Sequence, residues 1–291
     1  MDAISSTDLV ALFAAWRATF AAQREFLISL DGRVGDSDLG ITMAKAFAAA
    51  AEAVAAAPSG APIGKILITA GLAMAKAAPS TMGTLTATGF MRGGKALESA
   101  SAMGVREVAA FWRAYGNGVA ERGKAKLGDK TILDVIDPVA TTLKGAVETG
   151  DALAAALSAA ASVAEEALEN TKTMVAQHGK AAAFQEKSVG HQDAGATVGV
   201  LMIQIMRDFT VARSSAAGLQ AGGETAPALK DSTASFLEST DPSAVARRLV
   251  LRRPFGISVR RSLAAVPSLF AARISSVLAR WMQVPFTSNA R

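Results

Sequence analysis

The chain contains no cysteine, two histidines, one tyrosine and an aromatic fraction of 5% in 291 residues. Without cysteine there is no disulfide framework and no thiolate-held zinc or iron–sulfur cluster. Two histidines, His178 and His191, are too few for a multi-histidine metal centre, so the metals to expect are oxygen-ligated. The hydrophobic share is 51%, much of it alanine, which favours long helices packed through small side chains over strand-rich cores. No alternating apolar and polar run argues for a strand. Met1-Asp-Ala-Ile-Ser-Ser6 lacks the positive n-region and apolar core of a secretory signal. The apolar stretches, Val198–Met206 among them, fall short of the roughly 20 residues a spanning helix needs. The expectation is a cytoplasmic protein with no membrane span.

The formal charge of +5 is unevenly placed. Residues 242–291 hold nine arginines and no lysine, aspartate or glutamate, which leaves residues 1–241 at −4. A basic total suggests a polyanion partner, but here the basicity belongs to a tail. Three readings of that tail stand side by side: a membrane or partner surface, nucleic-acid contact without specificity, and a disordered extension outside the chemistry. Pro254, Pro267 and Pro285 forbid one long helix, and the joint loss of lysine and acid favours the last reading. No nucleic-acid partner is expected.

In the body, turn residues cut a helical pattern into eight segments, about 7–30, 41–57, 63–78, 83–100, 105–122, 130–147, 150–177 and 195–212. Leu9, Leu12, Phe13, Trp16, Phe20 and Leu27 fall at three- and four-residue steps, with Arg17 and Arg24 off the stripe. This gives an all-α domain over 1–212, a flexible Ser/Ala/Gly linker over 213–243 and the Arg-rich tail over 244–291. In an up-and-down bundle the odd-to-even connections emerge at one end. Those four connections, Asp31–Gly40, Pro79–Gly83, Gly123–Lys130 and Gly179–Gly195, are the polar, glycine-bearing ones, so the active site is expected at that rim.

The first loop places Asp31, Asp36 and Asp38 within eight residues, with Gly35 and Gly40 between and after them. Crowded carboxylates repel one another without a cation, and hard divalent ions prefer oxygen ligands. An Asp-rich loop beside a helix start also serves capping and solvation, and the spacing does not fit an EF-hand. In the second loop Ser80 and Thr81 precede a helix whose free N–H groups attract phosphate; a plain N-cap is the competing reading. Loops three and four add Lys124, Lys126, Lys130, Lys180 and Lys187 among glycines, which suits phosphates. Gly89-Phe-Met-Arg-Gly-Gly94-Lys95 has P-loop spacing but continues with Ala96 and has no preceding strand. It is a decoy.

Taken together, Asp31…Gly35-Asp36-Ser-Asp38…Gly40, Gly123…Gly128-Asp129-Lys130-Thr131 and Ser188-Val-Gly190-His191-Gln192-Asp193-Ala-Gly195 resemble the successive motifs of the nucleotide-binding L subunit of dihydroxyacetone (glycerone) kinases of glycerol metabolism. The resemblance spans roughly residues 5–212 and implies an eight-helix up-and-down barrel. It implies ADP or ATP at one rim, with two Mg2+ bridging phosphates to Asp31, Asp36 and Asp38. It also implies that Leu39, Gly40, Ile41, Thr42, Ser80, Thr81, Gly123, Ile132, Lys180, Asp193, Ala194 and Gly195 lie around the nucleotide, with Lys180 and the three aspartates serving catalysis. This sequence departs from the pattern at Leu39, where the family has His, at Lys180, where it has Arg, and at Ala194, where it has Pro. No acceptor-binding motif is visible in the chain, so the resemblance implies a partner K subunit that holds the dihydroxyacetone. A phosphotransferase-system protein is the further partner if phosphoenolpyruvate replaces ATP, and a homodimer is compatible with the sequence. The alternative of another class is an ADP-bound regulatory module without turnover; a lipid carrier leaves the aspartates without a role.

Overall fold

The computed structural model describes residues 3–221, with side-chain surroundings through residue 215. The tail and most of the linker lie outside the described residues. Nine α-helices are present among these residues: α1 (Ser6–Ala22), α2 (Arg24–Asp31), α3 (Leu39–Ala55), α4 (Ile63–Ala77), α5 (Thr81–Ala96), α6 (Val105–Gly123), α7 (Leu133–Thr149), α8 (Leu153–Asn170) and α9 (Ala194–Ala221). Two 3-10 segments, Thr171–Thr173 and Lys180–Ser188, precede α9. The first expected segment is broken at Gln23, whose ψ of 4° separates α1 from α2, with Leu27 and Leu30 buried beyond the break. Counted as one broken helix, α1 and α2 leave eight staves.

The staves form a closed ring. Each of α3 to α9 packs on its sequence neighbour, α1 packs on α3, and α9 returns to α1, as expected for an all-α up-and-down barrel. Polar anchors fix the closure. Ser5 caps α1 in a reciprocal box with Asp8, Ser5 Oγ accepting from Asp8 N at 3.2 Å and Asp8 Oδ2 accepting from Ser5 N at 3.0 Å. The buried Asp8 also meets Arg213 Nη2 at 2.8 Å, so α9 is pinned to the start of α1 by a residue beyond 212. The helix runs on to Ala221, past the boundary that the Ser/Ala/Gly composition suggests, because the alanines of that stretch sustain a helix already begun. Ala194–Ser215 is long and apolar enough to cross a membrane, but more than half of its most apolar stretch is buried within this protein.

Among the described residues, eight aromatic side chains form one cluster in the core. Phe90 of α5 lies within 6.1 Å of the rings of Phe13, Trp16, Phe47, Phe111 and Tyr115, while Phe20 stacks on Phe47 at 4.2 Å. On α8 the buried face is Ala156, Ala160, Ala161 and Ala164 with Leu153, Leu157 and Leu168, so small side chains let the helices approach closely. The P-loop decoy lies inside α5 and serves the same purpose. A Cβ on Gly89 would fall 2.4 Å from the Tyr115 ring, and one on Gly93 would fall 2.4 Å from the Phe111 ring.

The seventh expected segment ends early. Thr171 Oγ1 donates to Leu168 O at 2.6 Å and Thr173 Oγ1 to Asn170 O at 2.8 Å. These side chains take the last carbonyls of α8, and Met174 turns extended, with φ −91° and ψ 153°. Residues 174–193 thereby become a long connection at one end of the barrel.

Candidate functional site

Asp31 ends α2, Asp36 lies in the connection and Asp38 precedes α3. One oxygen from each carboxylate falls within 4.8 Å of the others. Backbone geometry makes the crowding feasible. Ser37 takes a left-handed φ of 62°, and Gly35 passes so close to Asp31 that a Cβ would sit 2.2 Å from its Oδ1. Asp31 Oδ2 accepts from Asp38 N at 3.0 Å and Leu39 N at 3.3 Å. It therefore satisfies the first free N–H groups of α3 and holds the loop closed. Partial desolvation in the closed loop, with Asp36 and Asp31 beside it, pushes the Asp38 carboxyl up, against the pull of Lys180, although the residue remains open to solvent. The donor set is all oxygen, Asp36 and Asp38 are exposed, and mutual repulsion favours a cation among them; these features fit Mg2+ with water or phosphate completing its shell.

The other connections come to the same rim. Lys180 Nζ lies 3.5 Å from Asp36 Oδ2, joining loop four to loop one. A Cβ on Gly195 would lie 3.4 Å from Met82 Sδ, which sets Asp193-Ala194-Gly195 beside the second loop. There Ser80 caps α5 by accepting from Gly83 N at 3.1 Å, and Thr81 is exposed at the helix start. Ser80 thus caps the helix, the plainer of the two readings its sequence allows. Gly123 closes α6, followed by Lys124 in the left-handed region at φ 53°.

The remaining sequence-selected residues lie deeper. Leu39 and Ile132 are 3% and 2% exposed and belong to the hydrophobic core, so their side chains face away from solvent. Gly40 packs α3 on α2, where a Cβ would meet Arg24 O at 2.1 Å. Thr42 is buried and Ile41 partly so. Asp193 caps α9 through Ala196 N at 2.6 Å. Burial pushes its carboxyl up to about 6, opposed by the Ala196 N–H and by Lys130.

Four polar residues organise loops three and four, among them Lys130, whose ammonium goes to backbone carbonyls and not to the phosphates its sequence suggested. Asp134 accepts from Gly128 N at 2.6 Å and Thr131 N at 2.7 Å. Asp129 accepts from Lys126 N at 2.9 Å and pairs with His178 Nε2 at 2.9 Å. The Lys126 N–H, followed by His178, holds the Asp129 carboxyl below the usual range, against the cost of burial. Lys130, 2% exposed, directs its ammonium to three backbone carbonyls of the fourth loop. The Gly128-Asp129-Lys130-Thr131 run was the sequence signal for two of them. Beside it opens a hollow of about 680 Å³ lined by Lys124, Lys126, Asp129 and His178 among others.

Comparison with known proteins bears on this rim. The DAK2 domain family matches residues 33–208. The chain is 34% identical over 203 residues to the ADP-binding subunit DhaL of the PEP-dependent dihydroxyacetone kinase of Escherichia coli K12, covering 70% of this chain and 96% of that one. It is 37% identical over 216 residues to a D-erythrulose kinase of Mycolicibacterium smegmatis, covering 71% of this chain and 36% of that one. Among solved structures, the native dihydroxyacetone kinase of C. freundii superposes with a TM-score of 0.53 at 25% identity, over 69% of this chain and 34% of the other. The chain thus spans about a third of the larger kinases and nearly all of the separate subunit.

Proposed function

The chain belongs to the DAK2 domain family, and from that premise we propose that it is the nucleotide-binding subunit of a dihydroxyacetone-type kinase. On this reading a partner subunit presents a short-chain ketose to the rim. The observation that carries the proposal is the meeting of Asp31, Asp36 and Asp38 within 4.8 Å of one another at the rim where Lys180 reaches Asp36. The E. coli relative is named an ADP-binding, PEP-dependent subunit, which supports a relay in which ADP stays bound and a phosphotransferase protein recharges it.

Phosphoryl transfer asks for in-line positioning and charge neutralisation more than covalent help. Asp31, Asp36 and Asp38 would hold two Mg2+, which supply the neutralising charge on the phosphates when bound. Ser80, Thr81 and the start of α5 offer hydroxyl and backbone donors to phosphate oxygens. Lys180 adds a single positive charge without the two-pronged grip of arginine. Gly123, Lys124 and the Asp193-Ala194-Gly195 turn bound the space left for the nucleoside. Leu39 and Ile132, which the family pattern also sets around the nucleotide, would contribute from the core. The acceptor hydroxyl then attacks the terminal phosphorus as the bond to ADP breaks, and its proton leaves to a group on the partner.

The partner requirement is tested by reconstitution with a dihydroxyacetone-binding K subunit and either ATP or a phosphotransferase donor system. Dihydroxyacetone phosphate is expected only when both subunits are present. Full-rate phosphorylation by this chain with ATP alone would overturn the two-subunit reading, and no product under any combination would favour the regulatory module.

A further inference from the structure

We propose that Lys130 is a positioning residue that fixes the fourth loop so that Lys180 faces the acidic cluster. The inference rests on the rim being the nucleotide site. Lys130 Nζ donates to Met174 O at 3.2 Å, Ser188 O at 2.5 Å and His191 O at 2.7 Å. The three protons of the ammonium meet three carbonyl oxygens, and none of these acceptors is a carboxylate. Burial lowers the pKa of this group, with Asp193 opposing, so the charge is held at a cost that an ordinary loop contact would not require.

The positions of the acceptors indicate what the charge accomplishes. Met174 follows the 3-10 turn that ends α8, Ser188 ends the second 3-10 segment, and His191 precedes α9. One atom therefore gathers the entry and the exit of the 174–191 segment, whose carbonyls at those points no helix ladder satisfies. Neighbouring ties close the same neck: Ser188 Oγ accepts from Ala176 N at 3.0 Å, Gly190 N donates to Lys172 O at 2.7 Å, and Gln177 N donates to Asp129 O at 3.1 Å. Within the gathered segment Gln185 adopts φ 47° and ψ −127°, a conformation that persists only where the surroundings over-determine it. Lys180 lies between the pinned points, and its Nζ stands 3.5 Å from Asp36 Oδ2. Lys130 itself sits at φ 60°, directly before the turn into α7, so loop three holds loop four in register.

The test uses the full chain and the variants Lys130→Met, Lys130→Arg, Lys180→Met and the double variant Lys130→Met/Lys180→Met. Calorimetry with Mg·ADP is expected to show about 10-fold weaker binding for Lys130→Met, the scale of losing a residue that orients a ligand group. In the Lys180→Met background the same change is expected to cost under about 2-fold, because the effect passes through Lys180. Additive losses would overturn the positioning role and leave a merely structural lysine. Hydrogen exchange on the nucleotide-free chain should show faster exchange across 174–191 in Lys130→Met, and unchanged exchange there would also overturn it. Should Lys130→Met fail to fold, Lys130→Arg keeps the charge but displaces the donors, and the same exchange comparison decides. If the wild-type chain binds no Mg·ADP, the proposed function falls, while the exchange experiment still decides whether Lys130 holds the loop.

Discussion

Asp36→Asn is expected to lower phosphoryl transfer by the reconstituted kinase about 10²–10³-fold, the loss typical of removing one preorganised charge contact at a transition state. Asp36 is exposed and its ion pair is a 3.5 Å contact to a lysine that is itself 73% exposed. Such a pair contributes little to stability, so the melting temperature should hardly change. The loss would therefore belong to metal and phosphate and not to folding. Asp31 provides the contrast: its Oδ2 also satisfies two N–H groups at the start of α3, so Asp31→Asn should reduce both activity and stability. A rate for Asp36→Asn within 2-fold of wild type, measured as product formation with partner and donor saturating, would remove the acidic cluster from the mechanism.

Gly89→Val is expected to destabilise the barrel by about 3 kcal/mol, the upper part of the usual range for overpacking a filled core. For a domain of this size that lowers the melting temperature by roughly 6–12 °C. The Cβ alone would fall 2.4–2.5 Å from three ring atoms of Tyr115, and Tyr115 is fully buried among Phe90, Phe111 and Trp112, with no direction in which to yield. Glycine is a poor helix former, so its presence in the middle of α5 already signals that contact outweighs propensity. A phosphate-binding role for Gly89–Lys95 makes the opposite prediction, with nucleotide affinity lost at unchanged stability. Thermal unfolding alongside ADP titration below the transition separates the two.

The helical pattern was legible because each helix buries one stripe: Leu9, Leu12, Phe13, Trp16 and Phe20 of α1 are all buried at the spacing their sequence displays. The acidic loop was ambiguous in sequence, since crowded carboxylates beside a helix start serve either a cation or a cap, and Asp31 does accept from the first N–H groups of α3. What escaped was long-range. Asp129, Lys130 and Asp134 lie in a polar run whose lysines suggest phosphate contacts, yet all three are buried. For Lys130 the partners are carbonyls at 174, 188 and 191, and a local pattern of residue types carries no trace of a backbone acceptor so far along the chain. The turn after α8 likewise depends on the hydroxyls of Thr171 and Thr173 and the break at Gln23 on one backbone angle, to both of which hydrophobic periodicity is insensitive. Leu39 and Ile132, which the family pattern sets around the nucleotide, have side chains in the core, a burial that the motif alone does not display.

The proposed function depends on ADP being held at this rim through oxygen-ligated metal, and calorimetric titration of ADP into the chain tests that most directly. With Mg2+ present, one ADP should bind per chain, and chelation of the metal or Asp36→Asn should weaken that binding strongly. Binding that is indifferent to both Mg2+ and Asp36, or no binding at all in the folded chain, would contradict the account.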